Sequence, residues 1–254
     1  MSRNLSVSQI GTLKQCAYSW KLSTIDKVPQ LTAAWFMHGT ACHTAIELWE
    51  RAGRSKDIVD LFDAAYTEEI AAARKTHPEL NMWMRGGRKT TLEDIESRRI
   101  KGRKQVSDYA EWAVTQDWRV WTLPDGSPAL EVPFWLGVGG EGDIMVGFVD
   151  AIWEYPDGTL EVVDYKSGTK YPDSDLQLGV YKVAIREIFG ELAETGRYLM
   201  LDKLPSKTVD LSGHSMSTVE DEVRHFTDTV RSGVFPADTK SCFTCTVKTS
   251  CQFF

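Results

Sequence analysis

Asp150, Asp164 and Lys166 are charged residues set inside two short apolar runs. Charge in a half-buried strand is expensive unless it is paired or holds an ion. The first run reads Gly147-Phe148-Val149-Asp150-Ala151-Ile152-Trp153-Glu154 and the second Thr159-Leu160-Glu161-Val162-Val163-Asp164-Tyr165-Lys166-Ser167-Gly168. Tyr155-Pro156-Asp157-Gly158 lies between them, so the stretch predicts a β-hairpin. Side chains alternate across a strand, placing Val162, Asp164 and Lys166 on one face with the two charges roughly 7 Å apart at their bases. That spacing alone equally describes a structural Asp–Lys pair on an exposed sheet face. Asp150 on the neighbouring strand adds a second carboxylate, and two close carboxylates stay ionised together most readily around a divalent cation.

The elements that must position these groups follow from the periodicity. Residues 6–22 predict a short amphipathic helix capped by Ser6 or Ser8, with Ile10, Leu13, Ala17 and Trp20 on one side and Cys16 beside them. A helix at about 33–52 carries Trp35, Cys42, Ile46 and Trp49 at helical spacing, with His43 at the edge of that stripe and Gly39 one turn earlier. Residues 56–121 read as mostly helical and more polar: one segment at 57–74, a longer one at 92–118, and a break at Arg85-Gly86-Gly87-Arg88. The period then changes to two, with a strand at 130–136 before the hairpin. A helix at 175–189, strands at 196–201 and 207–211 and a helix at 217–232 complete the chain.

The chain has 254 residues, 42% hydrophobic and 26% charged, enough for one substantial core. No apolar run reaches membrane-spanning length and no signal-peptide core follows Met1-Ser2-Arg3-Asn4, so a cytoplasmic protein without a membrane partner is expected. A net charge of -7 does not favour a polyanionic partner, but the balance is uneven along the chain. Arg85, Arg88, Lys89, Arg98, Arg99, Lys101, Arg103 and Lys104 face only Glu93, Asp94 and Glu96 between residues 85 and 104. Such a stretch is either a cationic track for DNA or a solvated helix face. Trp83, Trp112 and Trp118, in or near it, are either core residues or platforms for unpaired bases. The run Gly137-Val138-Gly139-Gly140-Glu141-Gly142 has no Lys and excludes a Walker loop, so any helicase motor is a separate polypeptide.

The acid on one strand followed by acid-x-Lys on the next resembles the PD-(D/E)XK nuclease superfamily, in the positions Asp150, Asp164 and Lys166. The order helix, three strands, helix, strand matches that core. The resemblance implies an α/β (α+β) fold: a restriction-endonuclease-like core with a mixed central sheet flanked by helices, in a single domain spanning 1–254. The helical insertion would occupy about 56–121. Gly39-Thr40-Ala41-Cys42-His43 and Gln177-Leu178-Gly179-Val180-Tyr181 are similar to the Gly-x-x-x-His and Gln-x-x-x-Tyr helices of the RecB-like branch, which includes CRISPR-associated exonucleases. The implied metal ligands are His43, Asp150, Asp164 and the Tyr165 backbone carbonyl, holding Mg²⁺ or Mn²⁺. Lys166 would position the attacking water and offset developing charge, Gln177 and Tyr181 would orient Lys166 or the phosphate, and Glu131 would support.

Five cysteines in a cytoplasmic chain do not suggest disulfides. Cys242, Cys245 and Cys251 crowd a Thr- and Ser-rich C-terminal stretch and read as metal ligands; four thiolates suit zinc or an iron–sulfur cluster. The RecB-like resemblance implies [4Fe–4S] held by Cys16, Cys242, Cys245 and Cys251, pinning the 236–254 segment to the N-terminus. Cys42 remains as a core thiol. The implied activity is a metal-dependent DNA exonuclease acting at free, often single-stranded ends in recombination, repair or replication, with a helicase or recombination protein as a further partner. The alternatives are a structure- or sequence-specific endonuclease on the same core and a non-catalytic, metal-stabilised DNA-binding accessory protein.

Overall fold

A computed structural model describes residues 4–139, 142–204 and 206–254, so Gly140 and Glu141 of the glycine-rich run lie outside the described residues. The chain forms β1 (Asn4–Leu5), α1 (Val7–Gln15), α2 (Ala17–Trp20), α3 (Ala34–Arg51), α4 (Ile58–Thr76), α5 (Thr91–Ala113), β2 (Arg119–Val120) and β3 (Leu130–Gly137). It continues with β4 (Ile144–Glu154), β5 (Leu160–Lys166), α6 (Leu176–Phe189), β6 (Thr195–Met200), β7 (Thr208–Asp210) and α7 (Met216–Ser232). The described residues divide into two units, one drawn from 4–31, 133–147 and 213–254 and the other from 32–132 and 148–212.

The second unit contains the hairpin. Tyr155 and Thr159 close it (N···O 2.9 Å), and Gly158 donates to the Tyr155 carbonyl at φ +84°, a left-handed conformation that glycine adopts freely. Pairing then sets Ala151 opposite Val163 and Ile152 opposite Val162. β4–β5 and β6–β7 are antiparallel while β5–β6 is parallel, with α6 as the crossover, so the sheet is mixed. β5 is buried along both faces from Leu160 to Tyr165. Its odd residues Val163 and Tyr165 join Ala151, Trp153 and Leu199 in a core shared with α3, α4 and α5. Helices α4 and α5 start at the caps their sequences carry, Asp57 on the Val59 and Asp60 amides and Thr90 in a capping box with Glu93. They pack so closely that a Cβ at Gly102 would lie 2.1 Å from Phe62 Cζ. The mixed α/β architecture expected from the sequence is the one observed.

In the first unit, β1 runs parallel to the start of β4, with Leu5 opposite Met145. The single helix expected over 6–22 is broken. Ser6 caps α1 in a capping box with Gln9, but Cys16 adopts an extended conformation (φ -160°, ψ 101°) between α1 and α2. The Cys16 sulfur accepts from the Ser19 and Asp238 amides, both at 3.4 Å, and so caps α2 instead of continuing α1. Trp20 meets Phe226 of α7 edge-on and stacks on Phe235.

Candidate active site

Asp150 sits at the centre of the polar groups in the second unit. Its Oδ2 accepts from the Tyr165 amide at 2.8 Å, and its Oδ1 accepts from the Tyr181 hydroxyl at 3.2 Å. The same hydroxyl lies 3.4 Å from Asp164 Oδ1, so one Tyr side chain bridges the two acids. Asp164 Oδ2 is 2.6 Å from Lys166 Nζ, and Lys166 donates to Gln177 Oε1 at 3.2 Å. Gln177 Nε2 in turn donates to Tyr181 at 2.9 Å. Gln177 and Tyr181, one turn apart on α6, thus close a ring of contacts that fixes both acids and the amine.

His43 reaches this cluster from α3. Its Nε2 lies 2.8 Å from the Tyr165 carbonyl, while Nδ1 faces Asp150 Oδ2 at 3.4 Å and Glu131 Oε1 at 3.8 Å. The Tyr165 carbonyl is therefore placed to accept from Nε2 and leave Nδ1 directed at the carboxylates, the usual way a backbone carbonyl fixes the tautomer of a ligating imidazole. Among the described residues, His43, Glu131 and Asp150 form the one group whose ligand atoms all fall within 4.8 Å of one another. Glu131 reaches it from a left-handed backbone at φ +47°, a conformation costing about 1–2 kcal/mol outside glycine. Arg51 braces the preceding carbonyl of Leu130 at 2.8 Å.

The electrostatics of the pocket leave it short of positive charge. Burial, joined by the Asp150 carboxylate, raises Asp164 to about 7 despite the Lys166 ammonium. Burial also raises Asp150; His43 opposes that rise and Glu131 adds to it. Burial alone would lower His43, but Asp150, Glu131 and Asp164 outweigh it and raise the imidazole to about 9. Asp164 Oδ2, buried, has no hydrogen-bond partner beyond its ion pair with Lys166. Carboxylate oxygens and one imidazole nitrogen make a hard donor set suited to Mg²⁺ or Mn²⁺, and a cation there would balance the acids.

Gln105 and Asp202, absent from the sequence reading, and Lys101 of the basic stretch support Lys166. Gln105 Nε2 and Lys101 Nζ donate to the carbonyl of Ser167 at 3.0 and 3.3 Å, and both also contact Asp202, at 2.8 and 2.7 Å. Gln105 is 2% exposed, a polar side chain in the apolar stripe of α5, and that mismatch was its one sequence signal. The rest of the basic stretch is dispersed by the helical turn. Arg99 and Arg103 pair with Asp63 of α4, Arg98 with Asp94 and Lys104 with Asp108. Lys89 donates to Ser97, and Arg85 and Arg88 are exposed ahead of α5. Trp83 and Trp118 are buried, Trp118 stacked on Trp153 with ring centroids 3.9 Å apart, and Trp112 packs against both Trp118 and Trp153. Trp83 and Trp118 are core, and Trp112 is half-buried against it.

In the first unit, Cys16, Cys242, Cys245 and Cys251 line one cavity of about 60 Å³. Desolvation, then the neighbouring sulfurs of Cys245, Cys251 and Cys16, push the Cys242 thiol up. Cys42 is buried in the second unit, where loss of solvent raises it to about 12, as a core thiol. No helix among the described residues is long and apolar enough to cross a membrane.

A family model described as PD-(D/E)XK nuclease superfamily matches residues 4–252. The Gene 69 protein of Mycobacterium phage D29 is 34% identical over 263 aligned residues, covering 98% of this chain and 96% of its own. The Gene 69 protein of Mycobacterium phage L5 is 30% identical over 282, with the same coverage. A solved chain described as "Crystal structure of SSO0001" aligns with 72% of this chain and 80% of its own, at 15% identity and a TM-score of 0.39.

Proposed function

Because the chain belongs to the PD-(D/E)XK nuclease superfamily, we propose that it is a RecB-like, divalent-metal-dependent exodeoxyribonuclease acting at free single-stranded DNA ends. The observation that carries this is the closed set of contacts among Asp150, Asp164, Lys166, Gln177 and Tyr181. A binding-only protein has no need of an amine held 2.6 Å from a buried acid.

His43, Glu131, Asp150 and Asp164 would hold the metal, which supplies Lewis acidity toward water and phosphate. The protein's own groups do the remaining work. Lys166, tethered by Asp164 and Gln177, presents its ammonium where negative charge grows on the phosphate as water attacks. Tyr181 holds the two acids in register, and the Tyr165 carbonyl keeps the His43 ring turned. Lys101 and Gln105 hold the Ser167 carbonyl and so the end of β5, which limits drift of Lys166.

The test is to offer Mn²⁺-loaded protein end-labelled linear and covalently closed circular single strands side by side. Degradation of the linear strand alone is expected. Cutting of circles would make the protein an endonuclease on the same core, and no cleavage of either would overturn the nuclease assignment.

The four cysteines in the first unit belong to the same proposal, as ligands of a structural [4Fe–4S] cluster. All four line one cavity, as ligands of a single centre would. Four thiolates suit zinc as well as a cluster, and the RecB-like resemblance is what favours the cluster. Such a centre would tie Cys16 to the C-terminal three and remove much of the freedom of both segments. Protein purified without oxygen should be brown, with broad visible absorbance that Cys245→Ser abolishes along with thermal stability. Colourless protein carrying stoichiometric zinc would contradict the cluster.

A further inference from the structure

We propose that Phe148 is a stacking platform for an unpaired nucleobase beside the phosphate under attack, an inference that rests on the nuclease assignment. Phe148 precedes Asp150 by two residues in β4, so both project from the same face of the strand. Residues 149–153 are buried, yet Phe148 is 56% exposed. It forms one wall of an open cleft of about 490 Å³, whose other walls include His43, Glu131, Thr44 and Glu47. Two of these, His43 and Glu131, belong to the candidate metal group. A phosphate held there would bring its own nucleoside to the cleft.

The character of the cleft selects which part of the nucleotide enters. Glu47 and Glu131 offer no cation to a further phosphate, and Glu47 already accepts from Arg51 at 2.8 Å. A neutral, flat base against a free phenyl face suits these walls. Among the described residues Phe148 has no aromatic partner, whereas Tyr165 meets His43 edge-on and Tyr198 lies beneath Lys166. Of the three tryptophans near the basic stretch, Trp83 and Trp118 are buried, and the half-buried Trp112 packs against Trp118 and Trp153. A base can reach Phe148 only when unstacked from its neighbours, so the platform selects single strands or frayed ends over intact duplex, with little preference among the four bases.

The experiment uses the full-length protein with Ca²⁺ in place of the catalytic metal and oligonucleotides carrying 2-aminopurine at successive positions from the end. Wild type should raise fluorescence at one position, where the base leaves its neighbours, and Phe148→Ala should lose that rise and bind about 5- to 150-fold more weakly, the range of one base–aromatic stack. Phe148→Trp should retain the tight binding. An abasic nucleotide at that position should weaken wild type but leave Phe148→Ala unchanged. Equal abasic penalties in the two proteins would overturn the platform, even where wild type cleaves with Mn²⁺. Absence of wild-type cleavage would overturn the nuclease assignment and the platform with it. Because Phe148 is exposed, the alanine variant should melt with wild type, and a lower melting temperature would mark the residue as structural and also overturn the platform.

Discussion

Replacing Lys166 with methionine should lower single-turnover DNA cleavage by at least about 10²- to 10³-fold while leaving metal-dependent DNA binding in place. Methionine keeps the length and apolar stem but removes the ammonium that lies 2.6 Å from Asp164 and 3.2 Å from Gln177. Lys166 is the nearest cation to Asp164, with the His43 imidazole a weaker influence, and the Tyr181 hydroxyl lies 3.4 Å from its Oδ1. Lys166→Arg should rescue poorly, because a planar guanidinium cannot occupy the same point between a carboxylate and an amide oxygen. With the ammonium gone, Asp164 loses the larger of the two influences that oppose its rise, leaving only His43, so it stays protonated further into the alkaline range. Full cleavage by the methionine variant would remove Lys166 from the chemistry.

Asp150→Asn should weaken Mn²⁺ binding by more than the 10- to 100-fold that changes outside the ligand shell produce. It should also abolish the rise in melting temperature that the metal gives wild type. Asparagine keeps one acceptor oxygen, for either the Tyr165 amide or the Tyr181 hydroxyl, sets an NH2 group at the other, and removes the negative charge beside His43. Without metal the variant should melt above wild type at pH 8, because it no longer sets two buried carboxylates against each other.

The pH dependence has a definite sign. Asp164 moves from 3.8 to about 7, so its contribution to stability is present below 3.8 and is lost as pH rises through 7. His43 moves from 6.5 to about 9, so its contribution is present below 6.5 and is lost as pH rises through 9. Metal-free protein therefore loses stability from these groups on going alkaline. Metal competes for the same sites as the protons, so Mn²⁺ should bind more tightly at pH 8 than at pH 6. Calorimetric titration at the two pH values checks both the affinity and the proton release; equal affinities would contradict the assignment of these ligands.

The parts of the fold that local chemistry determines were legible in the sequence. The hairpin carries its own turn in Pro156-Asp157-Gly158, and alternation places Asp164 and Lys166 on one face. Gln177 and Tyr181 needed only helical spacing to reach one site. Features that depend on distant packing were not legible. Glu131 enters the candidate metal group through a left-handed backbone in β3, which no residue type at that position announces. The helix expected through Cys16 breaks because two amides bond its sulfur, one of them 222 residues away. Basic residues that look like a track in sequence are turned apart by α5, and several meet acids from other segments, as Arg99 and Arg103 do at Asp63. Of the tryptophans read as core or platform, Trp83 and Trp118 prove to be core and Trp112 packs half-buried against it; the aromatic exposed at the cleft is Phe148, whose strand pattern gave no sign of exposure.

Anomalous diffraction from crystals soaked in Mn²⁺ tests most directly whether these acids share a cation. A peak among His43, Glu131 and Asp150, with Asp164 at its edge and Lys166 still against Asp164, is expected. Density elsewhere, or side chains of Asp150, Asp164 and Lys166 turned away from a common point, would contradict the metal centre and the hydrolysis built on it.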